Sequence, residues 1–269
     1  MSELPPRTPW PADFPNVVTH TSVVERDGHP HYQAAKAGDG AAAVALARDL
    51  INDAAVTELH RIIGEREPFL TPVAALETKG FNALPDALAQ VVGEKLGLTV
   101  EDGELLQTNV VAHTRATGWH HVVTPPTFGG AVKAGRDYLL IDDHIGLGGT
   151  LANLRSYIEA NGATVIAMTT LTQSRDAAKI ALTPATLAVL RSKHGQDLEI
   201  YWRTTFGYGL DCCTEVEGSY IARQPTFGAI ASVMGEAAKK ARGGGLSTIA
   251  VDVLTPPQPA SPEPNGSEP

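Results

Sequence analysis

The sequence predicts an α/β protein in which a parallel sheet is flanked by helices on both faces, and three segments carry that prediction. Residues 138–141 form an apolar run of branched and aromatic type, and Leu151, Leu154 and Ile158 beyond it recur at helical spacing. Residues 69–76 repeat the pattern, because a short link leads from them to Leu84, Leu88, Val92 and Leu96 at steps of four. Residues 163–171 supply a third strand of the same apolar character.

In chain order, residues 1–66 open with a proline-rich arm, continue through an expected strand over 17–25, and reach helices expected over 41–51 and 56–63. The segment His29-Pro30-His31-Tyr32-Gln33-Ala34-Ala35-Lys36 matches no motif of known chemistry. Residues 67–254 form the α/β domain. Within it, Pro85 suits the first turn of a helix and Gly97 its end. Residues 105–114 read as a central strand, and the stretch from Arg115 to Gly135, broken by prolines and glycines, reads as a loop. Thr183 and Pro184 read as the cap and first turn of a helix that ends near Gly195, and residues 199–202 as a strand. Residues 255–269 are proline, serine, glutamate and glycine, and such a tail buries too little apolar surface to order itself.

Composition bounds the function. A net charge of -9 with no basic stripe gives no support to nucleic-acid binding; the densest basic cluster, Lys239, Lys240 and Arg242, suits a helix end. No segment has the length of a membrane span, and the acidic, proline-rich start lacks the features of a secretory signal, so a cytoplasmic protein is expected. The adjacent cysteines Cys212 and Cys213 are poorly placed to pair with each other and read as free thiols of a reducing compartment.

The chemistry concentrates after the strand at 138–141, where Asp142 and Asp143 precede His144, Ile145, Gly146, Leu147, Gly148, Gly149 and Thr150. A nucleoside-triphosphate loop is excluded because no lysine follows the glycines, and a dinucleotide fingerprint because Leu151 stands where its third small residue belongs. The arrangement resembles the phosphoribosyl-pyrophosphate motif of type I phosphoribosyltransferases. That resemblance implies that Asp142 and Asp143 accept hydrogen bonds from ribose hydroxyls and meet a metal indirectly, through ribose and water. It also implies that the backbone at Gly146, Leu147, Gly148, Gly149 and Thr150 cradles a 5'-phosphate. Gly146 and Leu147 depart from the hydroxyl or acidic residues common in the family, leaving the amides and Thr150 to hold the phosphate. The other reading of the acidic pair is a simple turn cap.

Two further segments are similar to family elements. Thr78, Lys79 and Gly80, ahead of Phe81, resemble a pyrophosphate-binding loop, with Lys79 neutralising the leaving group and Gly80 allowing close approach; a solvated turn lysine is the alternative for Lys79. Phe206, Tyr208 and Asp211 echo a base-pocket segment, although a glycine-tyrosine turn is common in its own right. The stretch after 114 resembles the family's mobile catalytic loop, with Arg115, His120 and His121 as its basic candidates; His113, His120 and His121 lack the spacing of a metal site. The resemblance implies a magnesium-dependent phosphoribosyltransferase that joins a nucleobase-like acceptor to phosphoribosyl pyrophosphate, with residues 1–66 contributing a hood and the chain forming a homodimer. A binding module that senses the same ligand without turnover is the alternative.

Overall fold

The computed structural model describes residues 7–77, 80–101, 105–109 and 118–246. In chain order the elements are β1 (Val18–Thr19), α1 (Val23–Gly28), α2 (Tyr32–Lys36), α3 (Gly40–Leu50) and α4 (Asp53–Ile63). They continue as β2 (Phe69–Pro72), β3 (Leu76–Glu77), β4 (Gly80–Phe81), α5 (Leu84–Leu96), β5 (Leu106–Gln107), α6 (Gly118–Val123) and β6 (Phe128–Gly129). The remainder comprises β7 (Asp137–Ile145), α7 (Gly149–Ala160), β8 (Thr164–Gln173), α8 (Pro184–Phe206), a 3-10 turn (Leu210–Cys212), α9 (Glu215–Ala222) and α10 (Phe227–Gly243).

The main sheet runs β1-β8-β7-β2, and every pairing in it is parallel. Isolated parallel bridges, Leu70 with Val100 and Ala74 with Leu106, extend it beyond β2. Alternation along β7 sends Leu139 and Ile141 to one face, where Leu46, Leu59, Leu84, Leu88 and Val92 of the helices α3, α4 and α5 cover them. Tyr138 and Leu140 point the other way and pack on Leu151, Leu154 and Ile158 of α7. Both faces being buried explains why β7 and β8 read as unbroken apolar runs. The expected parallel sheet between helices is therefore the observed architecture. Residues 18–63 share the first of these cores with α5, so the amino-terminal helices are built into the sheet's cover.

Local signals explain most boundaries. Pro85 starts α5, and Gly97, with φ of 69°, ends it. Thr183 caps α8 by accepting a hydrogen bond from the Thr186 amide. Other expectations meet a different local structure. Ser22 and Glu25 form a capping box that starts α1, so the strand expected over 17–25 shrinks to β1. Gly195 does break α8, with φ of 68° and ψ of -165°, but helix resumes after it. Residues 199–202 are thus helical and not a strand, because Leu198, Tyr201, Trp202 and Phe206 share one buried helical stripe. Of the central strand expected over 105–114, residues 105–109 are described: there β5 pairs antiparallel with β6 and Leu106 bridges Ala74 in parallel, and 110–114 lie outside the described residues. Within the loop expected from Arg115 to Gly135, residues 118–123 instead form α6, which buries Trp119, Val122 and Val123 against α8 and α10. A third core, around Trp202, Phe206 and Met234, holds α6 and α8 to α10 together.

Candidate functional site

The carboxyl end of β7 opens on a cavity of about 460 Å³, placed where open parallel sheets bind ligands. Strand β7 runs further than its apolar residues suggest, since Asp142 pairs in register with Thr170, and His144 with Thr172. Both acids are therefore held on rigid backbone. The glycine loop follows, and Gly148 adopts φ of 81° at the start of α7, where no side chain caps the helix. That conformation suits glycine alone, and a Cβ there would come 3.2 Å from Thr214 Cγ2. Gly146, Leu147, Gly148, Gly149, Thr150 and Leu151 all line the cavity, so the helix end presents its first amides to whatever occupies it.

Asp142 and Asp143 are both buried in the cavity wall, and they ionise differently. Burial and the neighbouring Asp143 charge push the Asp142 carboxyl well above the usual carboxylate range. Its Oδ1 accepts a hydrogen bond from the Asp143 amide at 2.8 Å. Burial also opposes ionisation of Asp143, but the Lys36 ammonium, the Asn82 side chain and Arg26 outweigh it and hold its carboxyl below the usual range. Lys36 Nζ lies 3.0 Å from Asp143 Oδ2. One acid leans neutral and the other is firmly ionised, as expected of two adjacent carboxyls sharing a site.

Further lining comes from α1 and from α2, the latter within the segment 29–36 that the sequence left without chemistry. Arg26, Tyr32 and Lys36 all line the cavity, with the Arg26 guanidinium 5.0 Å from the centre of the Tyr32 ring. Arg26 Nη1 donates to Thr172 Oγ1 at 2.8 Å, and the same hydroxyl lies 2.9 Å from His144 Nδ1. Burial, helped by Arg26, lowers the His144 pKa and favours the neutral ring. Gln107, His121 and Thr124 also line it. The available signal for this wall was the four-residue step from Tyr32 to Lys36, which sets both on one helical face.

Other expected site residues lie elsewhere. The structure does not bring Phe206, Tyr208 or Asp211 to the cavity: Phe206 packs on Trp202, the Tyr208 ring lies against Phe206 and under Arg7, and Asp211 sits in the 3-10 turn. Gly80 begins β4, which pairs antiparallel with β3. Thr78, Lys79, Arg115 and His113 lie outside the described residues. Among the described residues no group of three His, Cys, Asp or Glu side chains could hold a metal ion. Asp142 and the Lys36-engaged Asp143 alone supply too few oxygen ligands for a magnesium ion held by the described residues without a ligand's own oxygens.

The loop is braced from behind by segments from both ends of the chain. Thr214 Oγ1 donates to the Leu147 carbonyl. Glu217, which also lines the cavity, accepts from both terminal nitrogens of Arg7, at 2.6 and 3.0 Å, and from the Thr214 amide at 2.9 Å. Arg7 Nε in turn donates to Asn153 Oδ1 of α7 at 2.6 Å. Trp10 Nε1 donates to the Cys213 carbonyl at 2.8 Å, and Arg155 donates to the carbonyls of Thr8 and Pro9.

No family model matches the chain. It is 40% identical over 224 residues to Protein TraN of Escherichia coli, covering 83% of this chain and 50% of that protein. An uncharacterized protein of Haemophilus influenzae is 38% identical over 152 residues, covering 56% of this chain and 34% of its own length. The chain thus spans half or less of the curated relatives it matches. Among solved structures, the adenine phosphoribosyltransferase of Leishmania tarentolae is similar at 16% identity and a TM-score of 0.32, covering 71% of this chain and 92% of that one. The UMP synthase of Leishmania donovani is similar at 14% identity and a TM-score of 0.31, covering 73% and 33%. Likenesses at that level say nothing of a reaction; chemistry must be argued from the cavity.

Proposed function

We propose that the cavity binds 5-phosphoribosyl pyrophosphate and that the chain transfers the phosphoribosyl group to a nucleobase-like acceptor. The bond from the anomeric carbon to pyrophosphate breaks, a bond from that carbon to an acceptor nitrogen forms, and pyrophosphate leaves, the proton displaced from that nitrogen passing to pyrophosphate or water. The observation that carries this reading is that Asp142, Asp143 and the uncapped glycine-rich start of α7 line one cavity. Those are the two recognition elements a sugar phosphate needs. Ionised Asp143 accepts from a ribose hydroxyl, and Asp142, when protonated, can both accept and donate. The amides at Gly149, Thr150 and Leu151 and the helix dipole receive the 5'-phosphate. Positive charge that builds on the ribose as pyrophosphate departs is stabilised by the Asp143 carboxylate. Lys79, with Thr78 and Gly80, and Arg115 are assigned to the pyrophosphate; magnesium would enter through the ligand's own oxygens.

A sensing module of the same ligand is the second reading, and a specific observation favours it. Gly146 and Leu147 offer no hydroxyl to the phosphate, and Lys36 already engages the Asp143 carboxylate. The deciding experiment measures pyrophosphate release from phosphoribosyl pyrophosphate, in magnesium buffer, across purine and pyrimidine acceptors, with Asp143→Asn as control. Acceptor-dependent release that the variant loses supports the transferase. Saturable binding without release on any acceptor supports the sensor, and absence of binding overturns both.

A further inference from the structure

The position of Glu217 poses a physical problem for any anion at the start of α7. A Cβ on Gly149 would lie 2.9 Å from Glu217 Oε1, so a carboxylate stands against the first residue of the helix that is to receive the phosphate. Left alone, that carboxylate would repel a phosphate through a low-dielectric wall, or turn onto the free amides and cap the helix itself. Arg7 prevents both. Its guanidinium grips the two Glu217 oxygens in a forked pair, with side chains only 4% and 6% exposed, and its third nitrogen is fixed by Asn153. The same Gly149 Cβ would lie 3.2 Å from Arg7 Nη2, so cation and anion flank the loop together.

We infer that Arg7 is a positioning residue for the phosphate loop: it neutralises Glu217 and holds it off the α7 amides, leaving them open to an anionic ligand. This inference rests on the phosphoribosyl pyrophosphate reading of the cavity. It gives the amino-terminal arm a role at the site although Arg7 itself does not line the cavity. The burial of the pair makes the role electrostatic as well as mechanical, since removing one partner leaves the other buried without its compensating charge.

The test is calorimetric titration of phosphoribosyl pyrophosphate with magnesium into the wild type, Arg7→Met, Glu217→Gln and the double variant Arg7→Met/Glu217→Gln, each first checked for a cooperative melt. Arg7→Met should weaken binding at least tenfold. Glu217→Gln should bind as tightly as the wild type or more tightly, because the cation stays and the anion goes. The double variant should return to within about threefold of the wild type, since neither charge remains. Wild-type affinity in Arg7→Met, or a double variant as weak as Arg7→Met, overturns the inference. Equal weakening in Glu217→Gln and Arg7→Met also overturns it, because a mere brace would fail from either end. Should Arg7→Met fail to melt cooperatively, Glu217→Gln binding more weakly than the wild type, or a double variant weaker than the wild type by tenfold or more, overturns the inference, and Glu217→Gln at or above wild-type affinity with a double variant within threefold supports it. A wild-type chain that takes up no ligand overturns the phosphoribosyl pyrophosphate reading and this inference with it, whereas wild-type uptake with an indifferent Arg7 overturns this inference alone.

Discussion

Replacing Lys36 with methionine removes the cation that fixes the ionised acid of the site while keeping most of the side chain's apolar stem. At 3.0 Å the Lys36–Asp143 attraction is about 5.5 kcal/mol for an effective dielectric constant of about 20. Part of that is offset by desolvation and by screening of a lysine whose side chain is 34% exposed. The net loss should fall between that of a surface pair and a buried one, about 1–3 kcal/mol, or a melting point lower by roughly 2–10 °C at pH 7. The pH dependence identifies the cause. The folded-state pKa of Asp143 is depressed, so its contribution is present above the unfolded carboxylate range and is lost as pH falls through the folded value. The gap between wild type and Lys36→Met should therefore be open at pH 7 and narrow in acid. Thermal melts followed by circular dichroism at pH 7 and pH 3.5 would read it. A gap that stays constant with pH would refute the electrostatic argument and leave only lost packing.

Asp142→Asn should raise stability at neutral pH by about 0.5–2 kcal/mol while weakening ligand binding, because it removes a carboxyl whose burial opposes ionisation. Since the folded pKa of Asp142 is raised, the wild type loses stability as pH climbs above the unfolded carboxylate range, so the variant's advantage in melts should be larger at pH 8 than at pH 4. Gly148→Ala should cost about 1–2 kcal/mol from its positive φ, read as a lower urea midpoint, and should weaken ligand uptake in the same titrations. Cys212 and Cys213 are buried, and burial pushes the Cys212 thiol up to about 11 and the Cys213 thiol upward too. A disulfide reagent at pH 8 should modify them only as fast as the chain opens, and rapid labelling of the native protein would contradict that packing.

The sheet was legible because its strands are buried on both faces and so spell continuous apolar runs, as in residues 138–141 and 163–171. Helix α5 was legible from its four-residue step and its terminal Pro85 and Gly97. The 199–202 error shows the limit of short windows: Tyr201 and Trp202 favour strand by type, and only the longer spacing through Leu198 and Phe206 reveals a helix. At the site, the acids and glycines lie together in sequence and could be read as one motif. Lys36, Arg26 and Arg7 could not, because their roles depend on partners 107, 146 and 210 positions away. Ordinary basic residues acquire meaning only once the fold sets something opposite them.

The 210 positions between Arg7 and Glu217 have a consequence for the order in which the molecule becomes competent. Contacts closed over so long a stretch of chain form late, after the pairing of β7 with β8 that spans far fewer residues. Pulse-labelled hydrogen exchange during refolding should accordingly protect the amides of those two strands before those of α9. A growing chain would own its acidic pair and its glycine turn well before it possesses the latch that keeps the turn open. Competence to hold an anion would thus arrive only once α9 has been made and Arg7 is drawn back to meet Glu217.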